Sequence, residues 1–400
     1  SQGCTAMNKA SVYLNQLGIV CALGDQHDLI RQKLLTGDKR CLTRTEDFSP
    51  GQTLPLGVVN TPLPDLSDFP LQEQTRTNQL LMAAMLQIRE AYEEAASSID
   101  PLRIGIVLGT STSGIAEGEQ AVAHHHDKGA LPADFHYGRQ EMVSPATSLA
   151  RWLKTQGPAY VISTACSSSA KALASARRLL RMGVCDLVIA GGVDSLCGLT
   201  VNGFSALESV SSKVCQPFSL SRDGINIGEG AALFLLSQQQ GEVSLCGVGE
   251  SSDAHHISAP DPEGKGAIAA MTLALQDANI DAKAIDYLNL HGTATPQNDK
   301  MEGLAVAEVL GSEVACSSTK PYTGHTLGAA GAIEAAICWL ALTHKDGALP
   351  VHLWNQQHDP SVASINLVKP ATRNEHLKYA MSNSFAFGGN NIALILEHTE

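Results

Sequence analysis

The stretch AYVISTACSSSAKALASARRLLRMGVCDLVIAGGVDS, residues 159–195, passes from an apolar run through small polar residues into a helical pattern and out into a second apolar run. AYVIST (159–164) reads as a buried strand that runs directly into Cys166. After it, Ala172, Ala176 and Leu179 recur at helical spacing, and the pattern ends near Gly183. CDLVIAGGVDS (185–195) is another strand, stopping at paired glycines. A strand, a helix and a strand in this order form a unit of parallel-sheet type, which makes the chain an α/β protein.

Upstream, GIVLG (105–109) is a further strand, which empties into the polar TSTSG. That loop has neither the Walker nor the Rossmann spacing, so no nucleotide is implied. Past about Val243 the pattern returns. YLNLHGTA (287–294) is a strand ending at His291, and VACSSTKPYTGHTLGAAGAIEAAICWLAL (314–342) is a strand, a polar loop with His325 and a helix rich in Ala and Gly. KYAMSNSFAFGGNNIALILEH (378–398) is a pair of strands around a Gly-rich loop. In both parts a strand empties into a reactive loop followed by a tightly packing helix, the signature of internal duplication. The expected halves are 7–240, with the nucleophile, and 241–400, with the two histidines. They meet at a short polar joint, Gln238 to Glu242. Gly51 to Leu71, rich in Pro and Asp, is expected to be a surface excursion, and residues 1–6 an expression scar.

Four hundred residues, 44% apolar but only 4% aromatic, with 35 glycines, call for a core of small aliphatics in close backbone contact. The formal charge of −13 argues against a nucleic-acid face, which needs concentrated basic surface. Ten cysteines without CxxC spacing favour free thiols in a reducing compartment over a zinc site or disulfide framework. No run of 18 apolar residues suggests a membrane span, so a cytoplasmic location is expected.

Cys166 sits where a strand gives way to a helix start, so free helix N–H groups and the macrodipole are expected to lower its thiol pKa. The other nine cysteines lie mostly in apolar runs and read as small hydrophobes. His291 and His325 each stand at a strand exit, the place that Cys166 takes in the other half. Two neutral imidazoles there suit hydrogen-bond donation to a developing enolate oxygen. Asp299 and Glu302, one helical step apart, are expected to face Lys320. The loop 383–390, NSFAFGGN, offers backbone N–H groups for an oxyanion hole. His124, His125 and His126 read as a solvent-facing bend, and Arg177, Arg178 and Arg181 as a solvated basic face.

Taken together, STACSSSAKAL, VIAGGVDS, PFSLSRDGINIGEGA, HGTATPQND, TKPYTGHTLGAAG and SNSFAFGGNN resemble the 3-oxoacyl-[acyl carrier protein] synthases of the thiolase superfamily, elongating branch. The likeness runs from about Met7 to Glu400. It implies a thiolase-like fold, a five-layer αβαβα body built from duplicated halves. It also implies a homodimer, or a heterodimer with a related synthase subunit, and acyl carrier protein as partner and bearer of the substrates. By resemblance, Cys166 takes the acyl chain as a thioester whose oxyanion meets the backbone N–H groups of Cys166 and Phe387. Decarboxylation of malonyl carrier protein then gives an enolate held by His291 and His325, with Lys320, Asp299 and Glu302 orienting His325. Thr293 and Thr295 match the pantetheine-binding threonines and Phe387 the gate over the acyl pocket, and no cofactor or metal is implied. Ala386 and Asn390 stand where the family's usual loop has Gly and Thr, and Asp194 where a glutamate is common. A non-decarboxylating thiolase-like acyltransferase and a chain-length-factor-like partner subunit are the competing readings. Fatty-acid, polyketide and aryl-polyene-type pathways all remain open.

Overall fold

Period-two alternation of apolar side chains sorts the strands into layers. In the computed structural model, which describes residues 9–111, 144–197, 201–203, 210–253, 259–386 and 388–400, thirteen strands and eight α-helices occur among the described residues. The first half contains β1 (Tyr13–Val20), α1 (His27–Thr36), β2 (Thr43–Thr45), β3 (Leu54–Leu56), α2 (Arg76–Ala96), β4 (Ile104–Gly109), α3 (Pro145–Leu153), β5 (Ala159–Ile162), α4 (Ser168–Arg181), β6 (Leu187–Asp194) and β7 (Gly230–Ser237). The second contains β8 (Val243–Ser252), α5 (Lys265–Ala278), β9 (Tyr287–Asn289), α6 (Pro296–Val309), β10 (Ala315–Ser317), α7 (Lys320–Thr323), α8 (Ala330–Leu342), β11 (Asn366–Leu367), β12 (Tyr379–Phe385) and β13 (Asn390–His398).

The main strands lie in the order β11-β10-β9-β12-β13-β8-β1-β7-β6-β4-β5, and Tyr13 opposite Ser244 joins the two halves of that run. Each half repeats one topology. In the first, β4 is parallel to β5 and β6, and β7 is antiparallel to β6 and β1. In the second, β9 is parallel to β10 and β12, and β13 is antiparallel to β12 and β8. Element by element, β1-α2-β4-α3-β5-α4-β6-β7 matches β8-α5-β9-α6-β10-α8-β12-β13.

Ile106, Leu108, Leu233 and Leu235 pack outward with Leu81 and Met85 of α2 and Leu149 of α3. Their neighbours Val107, Ala232, Phe234 and Leu236 face inward, onto α4 and α8. Ala393 and Ile395 likewise pack with α5 and α6, while Ile392 and Leu394 join the central cluster. The result is the expected five-layer αβαβα body, with α4 and α8 as its middle layer. Those two helices touch almost backbone to backbone. A Cβ on Gly331 would lie 2.7 Å from Ala170 Cβ, and Ala332 N donates to Ser169 Oγ at 2.8 Å.

Three expectations need correction. Gly51 to Leu71 is no mere surface excursion, since Leu54, Leu56, Val59 and Leu66 are buried. Gly57 N donates to Ile227 O and Gly57 O accepts from Glu229 N, because the segment needs partners for its buried backbone. β5 is half-buried rather than buried, as among the described residues it ends the sheet and has a strand on one side. The arginine cluster is not simply solvated: Arg177 pairs with Asp277 at 2.6 Å, Arg178 approaches Glu250 at 3.7 Å, and Arg181 donates to Ala10 O. The histidine triplet 124–126, Cys4 and residues 1–6 lie outside the described residues.

Candidate active site

Strand β5 ends at Ile162, and a three-residue 3-10 turn, Ala165–Ser167, carries Cys166 into α4. Ala165 takes φ +54° to open that turn. Such a backbone costs about 1–3 kcal/mol and persists only where the surroundings enforce it. The strained turn sets Cys166, 3% exposed, at the wall of a cavity of about 670 Å³.

Arg222 to Ile225 of the first half line part of the cavity with Cys166, and most of its remaining walls come from the second half. β9 ends at Asn289 and the chain turns at Gly292 (φ +39°), leaving His291 facing the cavity. Glu302 of α6 accepts from His291 N at 2.8 Å and from Gly292 N at 2.7 Å, fixing that turn. His325 follows α7 and is held by its own backbone, His325 N to Asn226 O and Gly228 N to His325 O. The ligand atoms of Cys166, His291 and His325 all lie within 4.8 Å of one another, and all three residues are buried. Cys166 Sγ is 3.2 Å from His325 Nε2, and the two imidazoles meet edge to face with centroids 5.6 Å apart.

One hydrogen bond decides the protonation of His325. Leu327 N donates to His325 Nδ1 at 3.2 Å, so Nδ1 must be the bare nitrogen and Nε2 must carry the proton. Nε2–H therefore points at the sulfur and acts as a donor. Burial, followed by the Lys320 charge, pushes both histidines well below the usual imidazole range, so both are neutral. The neighbouring His325 adds to the shift at His291, and the Phe385 carbonyl opposes it.

For Cys166 the sign expected from the helix start is wrong. Burial pushes the thiol up to about 12, Glu334 and Asp194 adding to the rise while Lys320 and the residue's own backbone N–H oppose it. Desolvation of a sulfur anion outweighs the helix-terminal dipole here.

Lys320 is buried, and its Nζ donates to His291 O at 2.5 Å and to Glu334 Oε2 at 2.8 Å. Its carboxylate partner is thus Glu334, on α8. Asp299 and Glu302 are not turned toward it. Asp299 accepts from Phe218 N and Ala294 N, and Glu302 from the His291 turn and Asn383. Burial raises both carboxyls, to about 6 and about 7, against the pull of those hydrogen bonds. Glu334 was missed because a lone glutamate in an Ala-rich helix carries no local signal. A charged residue one turn into an otherwise apolar segment was the available clue.

Thr293 and Thr295 line the cavity and bond to each other, Oγ1 to Oγ1, at 2.8 Å. Phe387 lies outside the described residues, so neither its gate nor its oxyanion role is placed. Gly388 and Gly389 take the left-handed φ values (+82° and +84°), and Ala386 does not. Among the described cavity residues Cys166 is the only cysteine. Among the described residues, one group brings ligand atoms together as a metal would need. The triad offers soft N and S atoms, but the proton on His325 Nε2 occupies the atom that would ligate. Asn289 Oδ1, Glu334 Oε1, Ser382 Oγ and Asn383 Oδ1 are among the buried atoms without a hydrogen-bond partner within the chain.

The chain matches two domain descriptions, beta-ketoacyl synthase, N-terminal domain, over residues 53–241, and beta-ketoacyl synthase, C-terminal domain, over residues 243–353. It is 33% identical over 420 aligned residues to 3-oxoacyl-[acyl-carrier-protein] synthase 2 of Rhizobium meliloti (strain 1021), covering 96% of this chain and 98% of that one. Among solved structures, it superposes with a TM-score of 0.93 and 43% identity on a chain of the ketosynthase (ApeO) in complex with its chain length factor (ApeC) from Xenorhabdus doucetiae, covering 99% of this chain and 100% of the other. A type II PKS acyl-carrier protein in complex with its ketosynthase contains a chain that matches with a TM-score of 0.85 and 25% identity, over 98% of this chain and 100% of that one.

Proposed function

Because the chain belongs to the beta-ketoacyl synthase family, we propose that it condenses an acyl thioester on Cys166 with malonyl-acyl carrier protein to give a 3-oxoacyl-acyl carrier protein. The observation that carries this reading is the convergence of one buried thiol and two neutral imidazoles on a single cavity, with His325 Nε2–H fixed as a donor.

In the first step Cys166 Sγ attacks the acyl thioester, and the Cys166 N–H at the helix start receives the carbonyl oxygen, with Phe387 N–H as the second donor. The Sγ–acyl bond forms, the pantetheine C–S bond breaks, and the thiol proton leaves with the pantetheine sulfur. In the second step the malonyl carboxylate departs as carbon dioxide and leaves its electron pair on the adjacent carbon. His291 and His325 donate to the enolate oxygen. The carbon then attacks the acyl carbonyl, Cys166 leaves as thiolate, and a solvent proton restores the thiol. Loss of carbon dioxide supplies the carbanion, so the scheme needs no strong base and no cofactor. Two neutral imidazoles, with His325 locked as a donor, match that requirement.

The carrier protein is the partner that delivers both substrates, and Thr293 and Thr295 offer hydroxyls to its pantetheine arm. The likeness to the ApeO–ApeC complex supports assembly with a related synthase subunit. The half-buried β5, whose outer backbone edge has no strand beside it among the described residues, is a suitable place for a second subunit to add. No helix among the described residues is long and apolar enough to cross a membrane. A thiolase-like mechanism would want a second cysteine in the cavity, which the described lining lacks. A chain-length-factor role would not need the thiol.

Mass spectrometry after incubation with acyl carrier protein thioesters tests the reading. A covalent acyl adduct on Cys166 and carbon dioxide release from malonyl carrier protein are expected, and Cys166→Ala should lower condensation by about 10³-fold or more. Acylation of Cys166 without any decarboxylation of malonyl thioesters would overturn it.

A further inference from the structure

The duplication places a buried carboxylate where the second half repeats the nucleophile's position. Counting back from the helix starts, Cys166 stands two residues before Ser168 of α4, and Gly328 two residues before Ala330 of α8. Both sit in the middle of a three-residue 3-10 turn, Ala165–Ser167 and Leu327–Ala329. Both turns open on a non-glycine residue in the left-handed region, Ala165 at φ +54° and Leu327 at φ +52°. In the first half the N–H at this position is the one that the condensing reading assigns to the substrate oxygen. In the second half it faces Asp194, the last residue of β6, whose Oδ2 accepts from Gly328 N at 2.6 Å.

Asp194 is 1% exposed and accepts from several donors. Its Oδ1 receives Thr110 Oγ1 at 3.0 Å and Ser111 N at 2.9 Å, and its Oδ2 also receives Ser111 Oγ at 2.8 Å. A Cβ on Gly328 would lie 2.7 Å from Asp194 Oδ2 and 2.9 Å from Thr110 Cα, so the close approach requires glycine there. The carboxylate thereby ties the end of β4 to the turn that begins at Leu327. Leu327 N is the group that denies His325 Nδ1 a proton. A residue forced to φ +52° relaxes when its turn is released, and the N–H then leaves the imidazole.

We propose that Asp194 is a positioning residue for the condensation. By holding Gly328 N–H it keeps the strained Leu327 turn in place, and so keeps His325 as an Nε2–H donor rather than an acceptor. This inference rests on the condensing reading above, and it assigns work to a position where the sequence departs from the glutamate common in the family. The negative charge of Asp194 also opposes thiolate formation at Cys166, which gives the test two signs. Removing the charge should make the thiol more reactive while the decarboxylation step loses its donor. A general loosening of the fold would not separate the two.

The experiment compares wild type with Asp194→Asn by two rates, decarboxylation of malonyl carrier protein and alkylation of Cys166 by iodoacetamide at neutral pH. The expected result is a fall in decarboxylation kcat of about 10–100-fold, of the size that positioned proton donors supply, with KM within about 2-fold. Alkylation is expected to rise about 3–10-fold, as a carboxylate's removal eases ionisation of a buried thiol. Both rates unchanged, or both falling together, would overturn the inference. Should Asp194→Asn not fold, Gly328→Ala gives the decision. It parts the carboxylate from the turn with the charge kept, and a decarboxylation rate equal to wild type would then be the overturning result. A wild type that never decarboxylates malonyl thioesters removes the condensing reading itself. The alkylation arm still reports whether Asp194 restrains the thiol.

Discussion

At Cys166 two effects compete, and their sizes decide the chemistry. A helix start favours an anion by about 0.3–1 kcal/mol, rising to about 2 kcal/mol when partly buried. Enclosure of the sulfur disfavours one by more, since each unit of pKa is about 1.4 kcal/mol and the thiol is pushed from 9.0 up to about 12. The resting residue is therefore a thiol beside a donor, and its proton must leave during acyl transfer. The same enclosure keeps His291 and His325 below their ordinary value of 6.5. As pH falls through 6.5, a free imidazole gains a proton but these two do not. The unfolded chain binds those protons first, so the pair withdraws stability as pH drops, while Asp299 and Glu302, raised by burial, work in the opposite direction. For activity the expectation is simple. Malonyl decarboxylation measured by carbon dioxide release should stay within about 2-fold between pH 7.5 and 6.0, with its acid limb well below 6.5. A half-maximal point near 6.5 would show that a group other than these two buried imidazoles controls the step, either an ordinary histidine or the raised carboxyls of Asp299 and Glu302.

At the scale of elements, α4 and α8 explain why so many small residues are needed. Gly109 lies against Ser169 N, Gly331 against Ala170, and Gly192 against Ser169 Cβ, so α4 approaches both the strands and α8 at backbone distance. This closeness brings the two strained turns, and thus Cys166 and His325, to 3.2 Å. A single methyl should be felt in both stability and activity. Gly331→Ala is expected to cost about 1–3 kcal/mol, the range for overpacking a filled core, read by urea denaturation. It should also lower condensation more than it lowers alkylation of Cys166, because the thiol stays on its own helix while His325 moves away. Equal losses in the two rates would place the effect in the fold alone.

For the whole molecule, the edge at β5 is one that the described residues leave without a strand on its outer side. Ile106 N bonds to Pro158 O and Thr110 N to Ile162 O, so the even-numbered carbonyls face β4 and the backbone groups of Ala159 and Val161 point outward. Val161→Pro removes an outward N–H at an edge position where proline is tolerated. It should leave the far-ultraviolet circular dichroism unchanged while shifting the mass in light scattering from dimer toward monomer. A dimer that survives the change would locate the subunit contact elsewhere. Much of this architecture was legible in the sequence, because strand and helix periodicities are local and the halves repeat them. Cys166, His291 and His325 each stand at a junction that a reader of residues 159–195 and their echo can find. Local pattern cannot report which groups meet across the body. That is why Glu334 rather than Asp299 or Glu302 pairs with Lys320, why burial reverses the expected shift at the thiol, and why Gly51–Leu71 is tucked against the segment Asn226–Glu229, which also holds His325. Sequence alone determined the folding units and the reactive residue types. Only the packing of one half on the other decided charge, protonation and partnership, since those depend on distance through a desolvated interior rather than on spacing along the chain.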